Sequence, residues 1–123
     1  MPGEPLVVLI EDQEALVSVL KEVFVREGYE VVSVADCAAA REVTGERQVD
    51  LVVLDATALQ EDQPVESMCD EYPDVAVIAV RNQEDLSIPI FGRWRREGRV
   101  ATLRRPFRLE DLMSAARELV ATV

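Results

Sequence analysis

Residues 6–12 of the chain read Leu-Val-Val-Leu-Ile-Glu-Asp, a run of five apolar residues that ends in two acids. Residues 51–55 repeat this pattern as Leu-Val-Val-Leu-Asp. A short run that is apolar at every position is typical of a parallel strand that is covered on both faces. The two runs therefore predict two buried strands of a parallel sheet, each with a carboxylate at its carboxyl end.

Helical patterns alternate with these two strands and with three others. After the first strand, apolar residues recur at helical spacing until Gly28, which is suited to end a helix. Asp36 is expected to cap a second helix that extends from Cys37 to Val43. The apolar stripes of the first and last helices comprise Leu16, Val19, Leu20, Val23, Phe24, Leu109, Leu112, Met113, Ala116, Leu119 and Val120. Further strands are predicted over residues 31–34, 75–80 and 100–103, and further helices over residues 64–72 and 88–97.

Strand and helix alternate strictly, which predicts an α/β fold with a parallel sheet, helices on both faces and right-handed crossovers. The chain has 123 residues, without a repeat or a linker, so we expect a single domain over residues 1–123 and no output domain. No apolar run approaches the ~20 residues of a membrane span, and the first residues lack the basic region of a signal peptide. A cytoplasmic location without membrane contact is therefore expected.

Histidine is absent from the sequence, and this absence excludes several kinds of site. Ser-His-Asp and Cys-His nucleophiles and the HExxH zinc site all require it. The chain carries 24 acidic and 13 basic side chains, which gives a formal net charge of −11. Nucleic acids are bound mostly through lysine and arginine, so a metal ion or a basic partner surface is the more suitable ligand.

The charge is divided unevenly along the chain. Residues 1–80 contain 18 acids and 4 bases, whereas residues 81–123 contain 6 acids and 9 bases. Several of these bases surround the single tryptophan in the set Arg93, Trp94, Arg95, Arg96, Arg99 and Arg104. Arginine and tryptophan are favoured in protein interfaces, which makes this set a candidate partner surface. A solvated face is the alternative for the arginines, and core packing is the alternative for Trp94.

Three acids follow the predicted strands directly, namely Glu11, Asp12 and Asp55. Ligands of open parallel sheets bind at the carboxyl edge, and carboxylates that converge there suit Mg²⁺. A helix cap is the simpler role for Asp12, but it leaves Asp55 unexplained. Arg105 follows the fifth strand, where it is a candidate to bind a phosphoryl oxygen or to pair with an acid. A nucleotide-binding loop is disfavoured because residues 10–14 contain no glycine.

Taken together, these residues resemble the receiver domain of two-component response regulators. The resemblance covers essentially the whole chain and rests on Glu11-Asp12, on Asp55 after its apolar strand, and on Arg105-Pro106-Phe107. It implies a flavodoxin-like (βα)5 fold, doubly wound, with a five-stranded parallel sheet of order 2-1-3-4-5. It also implies signal transduction and no enzyme activity, since such a domain at most assists its own phosphorylation and dephosphorylation.

The resemblance further implies a role for each site residue. Asp55 matches the aspartate that accepts a phosphoryl group from a phosphohistidine of a sensor histidine kinase or a phosphotransfer protein. Asp12 and Glu11 match the acids that hold Mg²⁺ directly and through water. Asp55 itself and the backbone carbonyl of Thr57 complete the implied metal ligands. Arg105 stands where the family has a lysine.

Several positions depart from the family pattern. The Ser or Thr after the fourth strand is replaced by Arg81, or by Val80 if the loop slips. The aromatic switch residue of the fifth strand is replaced by Thr102, and the usual proline after the acceptor by Leu59. Two hypotheses follow from these departures.

In the first hypothesis, the domain is phosphorylated but signals atypically, and Arg81 contacts the phosphoryl group or pairs with Asp55. Its signalling surface is the family's docking face, formed by the fourth helix, fifth strand and fifth helix, where the arginine set matches an acidic partner or the acidic half of a second copy in a homodimer. In the second, the chain is a pseudo-receiver that binds partner proteins without phosphorylation.

Overall fold

A computed structural model describes residues 4–11, 13–55, 71–72, 74–81 and 99–121, without the side chains of Cys37, Asp55, Arg81 and Ala121. The strands are β1 (Leu6–Ile10), β2 (Glu30–Val34), β3 (Leu51–Asp55), β4 (Ala76–Arg81) and β5 (Val100–Arg104). The helices are α1 (Glu14–Arg26), α2 (Cys37–Glu46) and α3 (Leu109–Ala121). All five predicted strands are present, and their bounds differ from the prediction by at most one residue.

The five strands form one parallel sheet in the order β2-β1-β3-β4-β5. Val7 of β1 lies opposite Val31 of β2 and Leu51 of β3, so the two apolar runs are direct neighbours at the centre of the sheet. The order confirms the flavodoxin-like fold. It also places the end of β1 beside the end of β3, on which the convergence of their acids depends.

Both faces of the sheet are covered, which explains why the central strands are apolar at every position. Val7 and Leu9 pack with α1 and α3 on one face. Leu6, Val8 and Ile10 pack with α2 on the other face. All five side chains of β1 are buried, and the prediction of helices on both faces is confirmed.

Helix α1 ends in a Schellman motif at Gly28, as its position after the apolar stripe predicts. Gly28 has a φ of 94°, its N–H donates to Val25, and the Tyr29 N–H donates to Phe24. Leu20 and Phe24 are buried, but Val19, which we expected in the same stripe, is 48% exposed. The stripe is therefore narrower than the apolar pattern indicates.

Helix α2 begins as predicted, because Oδ1 of Asp36 accepts a hydrogen bond of 2.8 Å from the Ala39 N–H. The helix continues to Glu46, three residues beyond the predicted end at Val43. Thr44 is buried, and its hydroxyl donates to the Ala40 carbonyl at 2.8 Å within the helix. Burial of this turn against the sheet outweighs the low helix propensity of the Gly45 that follows.

The last helix, α3, covers the predicted stripe and buries Leu112, Met113 and Ala116. The helix predicted over residues 88–97 lies outside the described residues. Only Glu71 and Tyr72 of the helix predicted over residues 64–72 are described, and Glu71 is helical. Among the helices described, none is both long enough and apolar enough to cross a membrane.

Candidate functional site

The carboxyl ends of β1 and β3 bring two of the predicted acids to adjacent positions. Ile10 pairs with Leu54, so Glu11 and Asp55 are the next residues along two neighbouring strands. Neighbouring strands lie about 4.8 Å apart, which keeps these two backbone positions close. Asp12 and Thr57, the other predicted metal ligands, lie outside the described residues.

Glu11 is half-buried and is held at the junction between β1 and α1. Its Oε1 accepts a hydrogen bond of 3.1 Å from the Gln13 N–H, just before α1 begins. Its own N–H donates to the Val34 carbonyl at 3.1 Å, which extends the pairing of β1 with β2. The sequence does not predict these bonds, which fix the position of the Glu11 carboxylate at this edge.

The other half of the same edge carries arginines. Asp55 pairs with Val80 across β3 and β4, so Arg81 is the first residue beyond the partner of Asp55. Arg81 in turn pairs with Arg104 at the end of β5, and Arg105 follows directly. The carboxyl edge therefore changes from acidic at β1 and β3 to basic at β4 and β5.

Arg105 borders an apolar cleft at the carboxyl ends of β4 and β5. The cleft has a volume of about 500 Å³ and is lined by Leu16, Leu20, Val80, Arg105, Pro106 and Phe107. Arg105 is half-buried, and the bond between Arg105 and Pro106 is cis. The arrangement places a cation beside an apolar surface formed by α1, the end of β4 and the segment after β5.

The donors at this edge suit Mg²⁺ chemically, because carboxylate oxygens are its preferred protein ligands. In the described part, which omits Asp12 and the side chain of Asp55, no three His, Cys, Asp or Glu side chains come together. If Mg²⁺ binds, Glu11, Asp12, Asp55 and the Thr57 carbonyl are the groups available to hold it.

Thr102 occupies the middle of β5, opposite Ala79 of β4. The side chain of Thr102 is half-buried. A threonine here has no ring that could move between a buried and an exposed position. The movement of an aromatic ring that the resemblance implies therefore cannot occur at position 102.

Two arginines of the predicted partner surface lie within the described residues, at opposite ends of β5. Arg104 is exposed at the carboxyl end. At the amino end, the Arg99 guanidinium donates to the Tyr72 carbonyl at 3.0 Å and to the Val75 carbonyl at 3.0 and 3.2 Å. Arg99 thus stabilises the segment that precedes β4, a role that the sequence did not predict. The other four members of the set, Arg93 to Arg96, lie outside the described residues.

We expect Arg99→Ala to lower the free energy of unfolding by about 1–3 kcal/mol, because it leaves two partly buried carbonyls without this donor. Chemical denaturation measures the change. Arg41→Ala is the matched control, since its ion pair with Glu71 joins side chains that are 43% and 49% exposed. The control should cost less than about 1 kcal/mol. Equal losses in the two variants would contradict the structural role of Arg99.

Comparison with protein families identifies the chain. Residues 7–117 match the model of the response regulator receiver domain. The chain belongs to this family. Among curated proteins, none matches the sequence of this chain.

Solved receiver domains share its fold. The signal receiver domain of an HD domain-containing protein from Pseudomonas fluorescens Pf-5 has a TM-score of 0.80 at 22% identity, over 99% of this chain and 90% of that one. A response regulator from Burkholderia pseudomallei, with a phosphorylated aspartic acid, a calcium ion and citrate, has a TM-score of 0.70 at 21% identity, over 97% and 72%. The beryllofluoride-activated NtrC4 receiver domain dimer has a TM-score of 0.77 at 20% identity, over 95% and 97%.

Proposed function

We propose that this receiver domain takes up a phosphoryl group on Asp55 from a phosphohistidine of a sensor histidine kinase or a phosphotransfer protein. The observation that carries the proposal is the pairing of Ile10 with Leu54, which makes Glu11 and Asp55 adjacent residues at the carboxyl edge. Mg²⁺ would be held by these two acids, by Asp12 and by the backbone carbonyl of Thr57. A bound Mg²⁺ would neutralise charge between the aspartate and the phosphoryl group.

The reaction requires two anionic groups to approach each other. An oxygen of the Asp55 carboxylate attacks phosphorus, and the bond from phosphorus to the imidazole nitrogen of the donor breaks. Arg105, at the end of β5, supplies a permanent positive charge for the phosphoryl oxygens. The residues thus act through position and electrostatics, as in phosphoryl transfer generally, and the domain needs no activity on a separate substrate.

The related structures support the chemistry by analogy. The protein from Burkholderia pseudomallei carries both a phosphorylated aspartic acid and a calcium ion, so this fold holds a phosphoryl group and a divalent cation. The NtrC4 receiver domain is a dimer when activated by beryllofluoride. For this chain we propose signalling through the face that includes β5, α3 and the arginine set, and a second copy of the chain is the partner that the dimer of the NtrC4 receiver domain suggests.

The test is incubation with Mg²⁺ and acetyl phosphate, followed by measurement of the intact mass. We expect the wild-type chain to gain one phosphoryl group and Asp55→Asn to gain none. Asp74→Asn removes an exposed acid close to the amino end of β4, so it is the matched control and should react like the wild type. A folded wild-type chain that gains no mass would reject phosphorylation and favour the pseudo-receiver, which binds partners without it.

A further inference from the structure

We propose that Gln13 is a positioning residue for Mg²⁺, because its backbone N–H holds the carboxylate of Glu11 in place for the ion. This inference rests on the proposed function, in which Glu11 and Asp55 help to hold Mg²⁺. It goes further because it gives a role in metal binding to a residue that is not itself a ligand. That role belongs to the main chain of Gln13 and not to its side chain.

A hydrogen bond joins the acid to the start of α1. Oε1 of Glu11 accepts the Gln13 N–H at 3.1 Å. A bond from an amide to an ionised carboxylate is stronger than a bond between two neutral groups. The carbonyl of Gln13 accepts the Val17 N–H at 3.0 Å, which closes the first turn of α1. Both polar backbone groups of Gln13 are thus engaged, one with the acid and the other with the helix.

The backbone of Glu11 is held as well. Its N–H donates to the Val34 carbonyl at 3.1 Å, so β1 and β2 stay paired beyond Ile10. A glutamate side chain has several rotatable bonds, and ordering it when a metal ion binds costs conformational entropy. The two hydrogen bonds order the main chain and the carboxylate of Glu11 before an ion arrives. This order favours Mg²⁺ binding, since groups that orient a metal ligand raise the affinity of the site.

The main chain and the side chain of Gln13 can be tested separately. Gln13 is exposed and precedes α1, but its side chain makes no capping hydrogen bond to the helix. Its φ of −85° is close to the value that a proline ring imposes. Proline at this position therefore removes the N–H with little change in the main chain, whereas alanine removes only the side chain.

The experiment measures the Mg²⁺ affinity of the unphosphorylated chain by titration calorimetry. Loss of a group that orients a metal ligand typically costs about 10–100-fold in affinity, so Gln13→Pro should weaken Mg²⁺ binding by about tenfold. Gln13→Ala keeps the N–H and is the matched variant, so it should bind Mg²⁺ about tenfold more tightly than Gln13→Pro. When Glu11→Ala is already present, adding Gln13→Pro should cause no further loss, because the N–H then has no carboxylate to hold.

A second measurement needs no substitution at position 13. Hydrogen exchange of the Gln13 amide, followed by NMR, reports how firmly its N–H is bonded. Coupling between two equilibria is reciprocal, so a bond that strengthens Mg²⁺ binding by about tenfold is itself strengthened by about tenfold when Mg²⁺ saturates the site. We expect Mg²⁺ to slow this exchange in the wild-type chain by that factor and to have no such effect in Glu11→Ala. This measurement decides the question if Gln13→Pro does not fold.

The outcomes distinguish this inference from the function on which it rests. Equal Mg²⁺ affinity in folded Gln13→Pro and Gln13→Ala would overturn the inference and leave Asp55 as the acceptor. Faster exchange of the Gln13 amide in Mg²⁺ would also overturn it, because the ion would then draw the carboxylate away from the N–H. A folded wild-type chain that binds no Mg²⁺ would overturn it too. Mg²⁺ binding as expected, in a chain that acetyl phosphate does not phosphorylate, would support the inference and reject the proposed function.

Discussion

Replacement of Arg105 by alanine is expected to slow phosphorylation by acetyl phosphate in Mg²⁺ by about a hundredfold. Arg105 is half-buried beside the apolar cleft, where a charge is screened less than at an open surface. Loss of a preorganised donor to a developing oxyanion costs about 10²–10³ in rate in enclosed sites, and partial burial puts Arg105 at the lower end. The rate of mass gain under a fixed concentration of acetyl phosphate measures the effect.

Two further variants separate charge from packing at this position. Arg105→Lys keeps the positive charge and should retain a rate within about tenfold of wild type. Arg108→Ala removes an exposed arginine three residues further along and should change the rate by less than about twofold. Equal rates in Arg105→Ala and wild type would exclude Arg105 from the phosphoryl site.

The second large effect concerns the core. Phe24→Ala should lower the free energy of unfolding by about 3–5 kcal/mol, because alanine leaves a cavity that the packed layers cannot close. Phe24 is fully buried in α1, and its ring meets the Tyr29 ring edge to face with centroids 5.4 Å apart. Urea denaturation gives the free energy of unfolding directly.

The matched control lies on the same helix. Val19 is 48% exposed, so Val19→Ala should change stability by less than about 0.5 kcal/mol. Tyr29 offers an independent check, because burial raises the pKa of its phenol above the usual value although Arg117 lowers it. Phe24→Ala should move this pKa towards the usual value in a spectrophotometric titration of the folded state. If Phe24→Ala lowered the free energy of unfolding by less than about 1 kcal/mol, the packing described for α1 would be contradicted.

The sheet was predictable because its central strands bury both faces, so burial alone requires apolar residues at every position. The strand order was available only through the resemblance, since periodicity does not state which strands are neighbours. The position of Glu11 and Asp55 at one edge then follows from the pairing of Ile10 with Leu54. Their spacing along the chain carries no information about this proximity.

The details that the sequence did not predict depend on contacts between distant segments. Val19 fits the apolar spacing of α1, but the sheet covers only the part of the helix that contains Leu20 and Phe24. Arg99 belongs to an arginine-rich stretch that suggests a partner surface. Its guanidinium nevertheless donates hydrogen bonds to two carbonyls that precede β4. Neither outcome follows from residue type, because each is decided by which neighbour the fold supplies.

Reductive trapping is the most direct measurement of whether Asp55 is the phosphoacceptor. Borohydride reduces an acyl phosphate to an alcohol, so a phosphorylated aspartate becomes homoserine and peptide mass spectrometry locates it. After treatment with acetyl phosphate and Mg²⁺, we expect reduction at position 55 and at no other acid. Reduction confined to another carboxylate, such as Glu11, or an unmodified position 55 in a folded chain, would contradict the assignment of Asp55 as the acceptor.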